Sequence, residues 1–599
     1  MTSSSNVLLD QSLPRTLDAW VAQFSQPAWH GAQLEAWLFE GAEARRAAEE
    51  TLAAAGVKAR LRSAYKPLLH FFLEEVDLGQ IASAQVCYPV HSAATAQRFW
   101  LEAYPLAALL PAGVLQGVAG GEALVYQVTL RLKDGSTQQH QVFAPNQLQR
   151  DPLGHELLSP TGWLRAVPAA GATVAALDQA CRTEVEQLFA QVLSTVQQHP
   201  WPQTEPYFER LDIRLDLPGY ECAVPGMPGA PETISTLEAL HEDLYFSLLE
   251  IFQHHSGRPT GDRRLQPGQI VPDVRFGAPR VCITLNSFNT AAQDACAPVD
   301  TTDGVALDAL GAAPPPARIQ HEMAQLGGQT FNASTRQGRS VVGLYRTGSQ
   351  APVLISGGQH ANETSGIVGT LRAAQVLRQQ PDAHFALIAL ENPDGYAMHR
   401  ELCAQHGEHM HHAARYSALG DDIEYRETAP LFEREAREHA LTLSGAQLHL
   451  NLHGYPAHEW TRPLSGYIPR GFDLWTIPKG FFLILRYHTG WQAQAQALLE
   501  QVCAALREVP GLIDFNAQQM ALYAEHAGPM PFPVLDGTAY TISEVNRPGA
   551  PVTLITEFPD ETVYGDAFRF AHSVQMATVL AATKAWQNIA PPLVNPSKQ

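Results

Sequence analysis

Cysteine is scarce in this chain. Cys87, Cys181, Cys222, Cys282, Cys296, Cys403 and Cys503 are scattered over 599 residues, and none belongs to a Cys-x-x-Cys pair. An odd, dispersed set argues against a disulfide framework and fits reduced thiols in a reducing compartment. Basic residues are also short, with 40 Lys and Arg against 60 Asp and Glu and a net charge of −20. That balance leaves no cationic surplus to track phosphates, which argues against a phosphate-tracking nucleic-acid binder. No uninterrupted apolar run reaches membrane-spanning length. The N-terminal stretch MTSSSNVLLDQSLPRTLDAW lacks the basic start and apolar core of a secretory signal, so a cytoplasmic protein is expected.

What is present is ordinary globular material: 45% of residues are apolar and 17% charged, which argues against disorder. At 599 residues the chain is too long for one core, and two or more domains are expected. From Leu13 to about Glu75 apolar residues recur at helical spacing, which predicts a helical lead-in over residues 1–80. Residues 81–295 read as an α+β domain without a readable role. It contains the alternating hairpin VYQVTLRLKDGSTQQHQVF with Asp134-Gly135 at its turn, a helix from Thr173 to Gln198, and strands LDIRLDL and VCITLN. Between those strands Ser235 and Glu238 form a capping-box signal for a helix to His254. His241, Glu242 and Asp243 on it diverge in direction, so an ordinary polar face is expected there rather than a metal site. Residues 296–317, with Pro314-Pro315-Pro316, read as a linker.

From about Arg318 to residue 590 strands and helices alternate. The fold class expected is α/β: a mixed, mostly parallel twisted sheet covered by helices on both faces, preceded by the α+β region. Its organising stretch is VLISGGQHANETSGI, Val353 to Ile367, a buried strand closing on two glycines and handing over to a helix. His360 and Glu363 therefore sit at a strand's carboxyl end, where open α/β sheets bind ligands. A nitrogen and an oxygen donor three residues apart suit Zn²⁺, although a loop hydrogen bond accounts for the pair equally well. Downstream, FALIAL runs into Glu391-Asn392-Pro393-Asp394-Gly395-Tyr396, QLHLNLHGY places His449 and His453 on one side of a strand, and TLITEF ends near Glu557. A carboxylate at the end of a buried strand is costly unless it is paired or functional.

In this order, GGQHANE, NPDGY, LNLHGY and TLITEF resemble the zinc carboxypeptidase family, the His-x-x-Glu…His metallopeptidases related to carboxypeptidase A. The resemblance covers the second half only. It implies one Zn²⁺ held by His360, Glu363 and His453 with a position open for water, and Glu557 as general base. It implies Arg400 as the oxyanion-stabilising arginine, Arg415 as the fork gripping a substrate's terminal carboxylate, and Tyr540 as a tyrosine closing over substrate, with Tyr564 a competitor. Ala414 departs from the family's pattern, where an Asn precedes the gripping arginine. Arg547, after Tyr540, would favour acidic C-terminal residues.

The loop from His406 through His409 and His411 to His412 invites a second-metal reading or none, and His449 is a core neighbour or an orienting partner of a ligand. The expected activity is a zinc-dependent carboxypeptidase acting on peptides. An N-acyl amino acid deacylase or cell-wall-peptide amidase on the same fold, acting on an acyl-amino-acid substrate, is the alternative. A non-catalytic binding protein that keeps the fold is a third. No nucleic-acid or membrane partner is expected, and oligomeric state is not readable.

Overall fold

The computed structural model describes residues 6–224, 232–296 and 302–590. The C-terminal half is built on a nine-stranded sheet. Its centre is Phe385–Ile388, Val353–Gly357, Leu448–Pro456 and Val552–Glu561, neighbours in that order and all parallel. These strands are buried along their length, as continuous apolar runs require when both faces are covered. Side chains alternate between the faces. Val353 and Ile355 meet the helices Ser365–Arg378, Gln492–Leu506 and Gly565–Ile589, while Leu354 faces the helix Arg434–Ser444.

The flanks correct the expectation of a mostly parallel sheet. Ser340–Arg346 and Gln329–Ser334 continue antiparallel on one side. On the other side Phe482–Tyr487 runs antiparallel to Val552–Glu561, and only the pairing with Thr538–Glu544 returns to parallel. Gln329–Ser334 alternates exposed and buried residues, the pattern of a half-solvated edge that needs no crossover helix.

The first half departs further from expectation. Residues 6–75 are not a helical lead-in: strands Asn6–Ser12, Gln33–Leu38 and Lys58–Ser63 alternate with helices Thr16–Phe24, Ala42–Ala54 and Pro67–Glu74. Gln33–Leu38 and Lys58–Ser63 pair in parallel across the second of these helices, so a short strand–helix–strand unit imitates helical spacing. Asn6–Ser12 pairs with Arg280–Asn286, which ties residues before 80 into the sheet of the next region. The hairpin Val125–Leu132 with Thr137–Phe143 forms about Gly135, whose φ is 88°. The helix expected from Thr173 starts at Glu184, where Thr183 and Glu186 make a capping box. The segment read as a linker lies partly outside the described residues. From residue 302 on it packs rather than hangs free: Leu307 and Leu310 are buried, the Pro314 carbonyl accepts the Tyr396 hydroxyl at 2.6 Å, and Pro316 opens a helix to Leu326.

The helix Thr236–Ser256 joins the two halves. Ser235 Oγ accepts the Glu238 amide at 3.1 Å and Gly257 closes the helix with φ 73°, as the capping signal predicts. The polar face expected at His241, Glu242 and Asp243 is instead buried, because segments more than 150 residues away cover it. Asp243 accepts the backbone amides of Leu464 and Ser465 at 2.6 and 3.1 Å, and Glu250 accepts from Arg462 at 2.7 Å. Among the described residues, no helix is long and apolar enough to cross a membrane.

A second seam between the halves runs through His526. Its Nε2 accepts the Ala107 amide at 3.2 Å, its Nδ1–H donates to the Trp100 carbonyl at 3.2 Å, and the Trp100 indole donates to the Glu525 carbonyl at 2.6 Å. Both ring nitrogens are used in the neutral form, and burial pushes the imidazole pKa down to about 3. The unfolded chain takes up this proton near pH ~6.5 and the folded chain does not. This group's share of stability is therefore complete above that pH and declines as pH falls towards 3. His526→Ala should lose about 2–3 kcal/mol at pH 7, through a cavity and an orphaned amide. Its melting temperature should then fall less than that of the wild type between pH 7 and 4.5; equal acid sensitivity of the two proteins would refute the assignment.

Candidate active site

The strand Val353–Gly357 ends in a turn that its glycines permit. Gly358 has φ 64°, and a Cβ there would come within 2.8 Å of the Leu390 side chain. The chain then presents His360 and Glu363 before turning into the helix that starts at Ser365. The end of the strand Val552–Glu561, two strands over, pins this turn: Asp560 accepts the Ser365 amide at 2.7 Å, and Glu561 accepts from Asn362 at 2.7 Å. His453 lies one strand over, and its ladder partner on the next strand is Glu557. The parallel register thus places the third candidate ligand beside the candidate base.

His360, Glu363 and His453 each contribute a donor atom, and these atoms lie within 4.8 Å of one another. Glu363 Oε1 is 2.8 Å from His360 Nδ1, its Oε2 is 2.9 Å from His453 Nδ1, and the two Nδ1 atoms are 2.9 Å apart. Two ring nitrogens so close and facing one carboxylate form a pocket that a divalent cation fits and that two N–H groups would crowd. His360 Nε2 lies 3.4 Å from Asp422, so its proton belongs on that side and the Nδ1 lone pair faces the cluster. Behind it, Asn451 donates to Gln359 at 2.9 Å and Gln359 donates to Asp422 at 3.2 Å. The residues fit Zn²⁺ by donor type and by this second layer of bonds.

Electrostatics separate the two carboxylates. Glu363 is held well below the usual carboxylate range: burial opposes this, but His360, Arg415 and His453 outweigh it. Glu557 is pushed well above that range, first by burial and then by the anionic Glu363. Two acids with environments driving them apart have the pattern of a fixed anion beside a proton acceptor. Lys479 sits near Glu557 in a box of rings, 5.0 Å from the centre of Tyr455 and 5.1 Å from that of Trp475. Burial lowers its pKa to about 7, with Glu557 pulling the other way.

A cavity of about 210 Å³ opens over the cluster, reaching His360, His453 and Glu557. Its walls are aromatic, including Tyr425, Trp460 and Trp475, with Arg415 and Arg486 as cations. Phe246 and Arg263 come from the first half, so the region without a readable role forms part of the cleft.

The other expected residues fall in different places. Arg415 is at the cluster but donates to Glu363 at 2.6 Å instead of standing free to grip a terminal carboxylate. Arg400 does not line the cavity; it lies two turns into the helix Pro393–Cys403, near His399 and Cys403. Tyr540 is likewise absent from the cavity wall. It pairs with Leu483, whose side chain belongs to the helix-covered core, whereas the next pair, Thr541 with Ile484, shares the cavity face. Period-two alternation thus turns Tyr540 away from the site. Tyr564 is 45% exposed and outside the cavity as well. Arg547 stacks on Tyr425 at 4.3 Å, behind the wall rather than in it. His449 bonds Ser356 at 2.8 Å and serves the core. His412 does line the cavity and pairs with Glu242. No local motif marks Asp422, Lys479, Arg486 or Arg263, and Gln359, although it lies within GGQHANE, carries no metal-ligand or acid–base signal of its own.

No known family matches the sequence, and no curated protein is significantly similar to it. Among solved structures, the chain aligns with a metallo-carboxypeptidase of Burkholderia cenocepacia at 13% identity and a TM-score of 0.29, over 52% of this chain and 76% of that one. It aligns with thrombin-activatable fibrinolysis inhibitor at 9% identity and a TM-score of 0.32, over 52% and 89%. A succinylglutamate desuccinylase/aspartoacylase of Rhodobacter sphaeroides aligns at 12% identity and a TM-score of 0.25, over 42% and 64%.

If Asp422 orients His360, Asp422→Asn should weaken zinc affinity by roughly 10–100-fold with the fold intact. Competition against a chromogenic chelator measures this, and an unchanged affinity would remove Asp422 from the site.

Proposed function

We propose that this chain is a zinc-dependent metallopeptidase of the carboxypeptidase type that releases the C-terminal residue of short peptides. The observation that carries the reading is the convergence of His360, Glu363 and His453 with Glu557 in ladder register beside them. Zinc held by the first three would supply Lewis acidity towards a substrate carbonyl and acidify a water at that place. Glu557 faces the same cavity and is positioned to take a proton from the attacking water and deliver it to the leaving amine.

Arg415 is the fixed positive charge at the cluster, and oxyanion stabilisation suits it better than carboxylate recognition. Recognition of a terminal carboxylate then falls to Arg486 or Arg263 on the cavity wall. Aromatic side chains supply the apolar surface for substrate, and the wall contributed by Phe246 and Arg263 narrows entry to short chains.

One observation favours a second reading. Arg415 is occupied by Glu363 and preceded by Ala414, so the customary grip on a free carboxylate is incomplete. A cell-wall-peptide amidase, whose substrate need not end beside the scissile bond, does not need it; an N-acyl amino acid deacylase would place its substrate's free carboxylate on Arg486 or Arg263.

Glu557→Gln should retain one zinc at the cluster and lose activity by about 10²–10⁴-fold, the range for a general base. Hydrolysis undiminished in that variant would exclude Glu557 as the base. A panel of free-carboxylate, C-amidated and N-acylated substrates separates the two readings: the carboxypeptidase reading requires that amidation abolish cleavage.

A further inference from the structure

We infer that the chain carries a second transition-metal site, made by Glu221, His406 and His409 where the two halves meet. Donor atoms of these three residues lie within 4.8 Å of one another, as in the His360 cluster. The site is separate from that cluster in sequence and in elements. Glu221 opens the strand Glu221–Val224 of the first half, and the two histidines form a single turn of the second, with the His409 amide on the His406 carbonyl at 3.3 Å.

Three features distinguish it from a chance surface group. The rings of His406 and His409 stack in parallel, with centroids 4.6 Å apart and planes 6° from coplanar, which brings both imidazoles to one side. His406 Nε2 is shielded from solvent and has no hydrogen-bond partner, a cost that ligation would remove. The third feature is a surrounding layer that holds the donors in place. Ser235 Oγ donates to Glu221 at 3.1 Å and lies 3.3 Å from His409 Nε2, while His411 Nε2 donates to the His406 carbonyl at 2.9 Å.

Two nitrogens and one carboxylate oxygen suit Zn²⁺ or a similar divalent ion. Glu221 is 44% exposed, so an ion can enter from solvent, while His409 is buried on the inner side. An ion here would tie the strand at Glu221 to the segment that continues through His412 to Arg415, and so brace the wall of the catalytic cavity from outside. The chemistry assigned is structural, because none of the three residues lines the cavity over the His360 cluster.

The test is zinc stoichiometry on the full chain after chelator stripping and refilling with ZnCl₂. Wild type should take up two equivalents, His406→Ala one, and the double variant His360→Ala/His453→Ala one. Glu221→Gln, at a half-exposed position that cannot disrupt the core, should weaken the second equivalent at least tenfold. Peptide hydrolysis by His406→Ala should persist at saturating zinc. Two equivalents in His406→Ala, or an unchanged second affinity in Glu221→Gln, would overturn the site and leave Glu221–His409 as a plain ion pair. If wild type takes one equivalent that is lost in His406→Ala but kept in the double variant, the second site stands and the catalytic reading falls.

Discussion

The architecture around His360 and His453 depends on keeping one carboxylate, Glu363, charged in the interior. Glu363 accepts from Arg415 at 2.6 Å and from the Gly454 amide at 3.1 Å, and its oxygens lie 2.8 and 2.9 Å from the His360 and His453 Nδ1 atoms with which they frame the cation pocket. An ionised carboxylate removed from water is tolerable only with such compensation. Its partners come from the strand-end turn, the loop after the helix Pro393–Cys403 and the strand Leu448–Pro456. Holding the anion therefore fixes three segments at once. The raised pKa of Glu557 follows first from its burial and then from the same charge, since a second carboxylate nearby cannot also ionise easily.

Much of what surrounds that anion is supplied at a distance. Helix Thr236–Ser256 has almost no solvent face, and its acids are used on backbone amides and arginines of the second half. Phe246 from this helix packs on Trp460 at 4.9 Å, and Arg263 lies over Tyr425 at 5.5 Å. The cleft is thus walled by both halves, and the shape of its mouth is a property of their junction.

The parts of this arrangement that could be read from sequence are those set by local physics. An apolar run followed by Gly-Gly and His360 announces a strand end whatever its neighbours, and the same holds for LNLHGY and TLITEF. Parallel pairing then brings those ends together. The residues misplaced were those whose position depends on the path of long loops. Arg400 was assigned by its distance from NPDGY, but the helix beginning at Pro393 carries it away from the cavity. Tyr540 was assigned by its distance from Glu557, and the alternation of its strand turns it to the opposite face. His241 to Asp243 looked like a solvated face because the segments that bury them are far away in sequence. The lead-in failed for a different reason: short strands flanking an Ala- and Glu-rich helix merge into one apparent helical period.

The shared core also bears on how the protein can be divided. Met398, Leu402, Met410, Ala413 and Tyr416 belong to the second half in sequence, yet their burial is with residues of the first. Cutting the chain near residue 317 would leave these side chains bare on one fragment and Tyr65, Tyr245 and Phe246 without part of their cover on the other. Each fragment would keep a cluster of its own, around Leu34 and Leu164 in the first and around Val353 and Leu554 in the second, but both would lose the shared one, so the junction is part of what each half packs against.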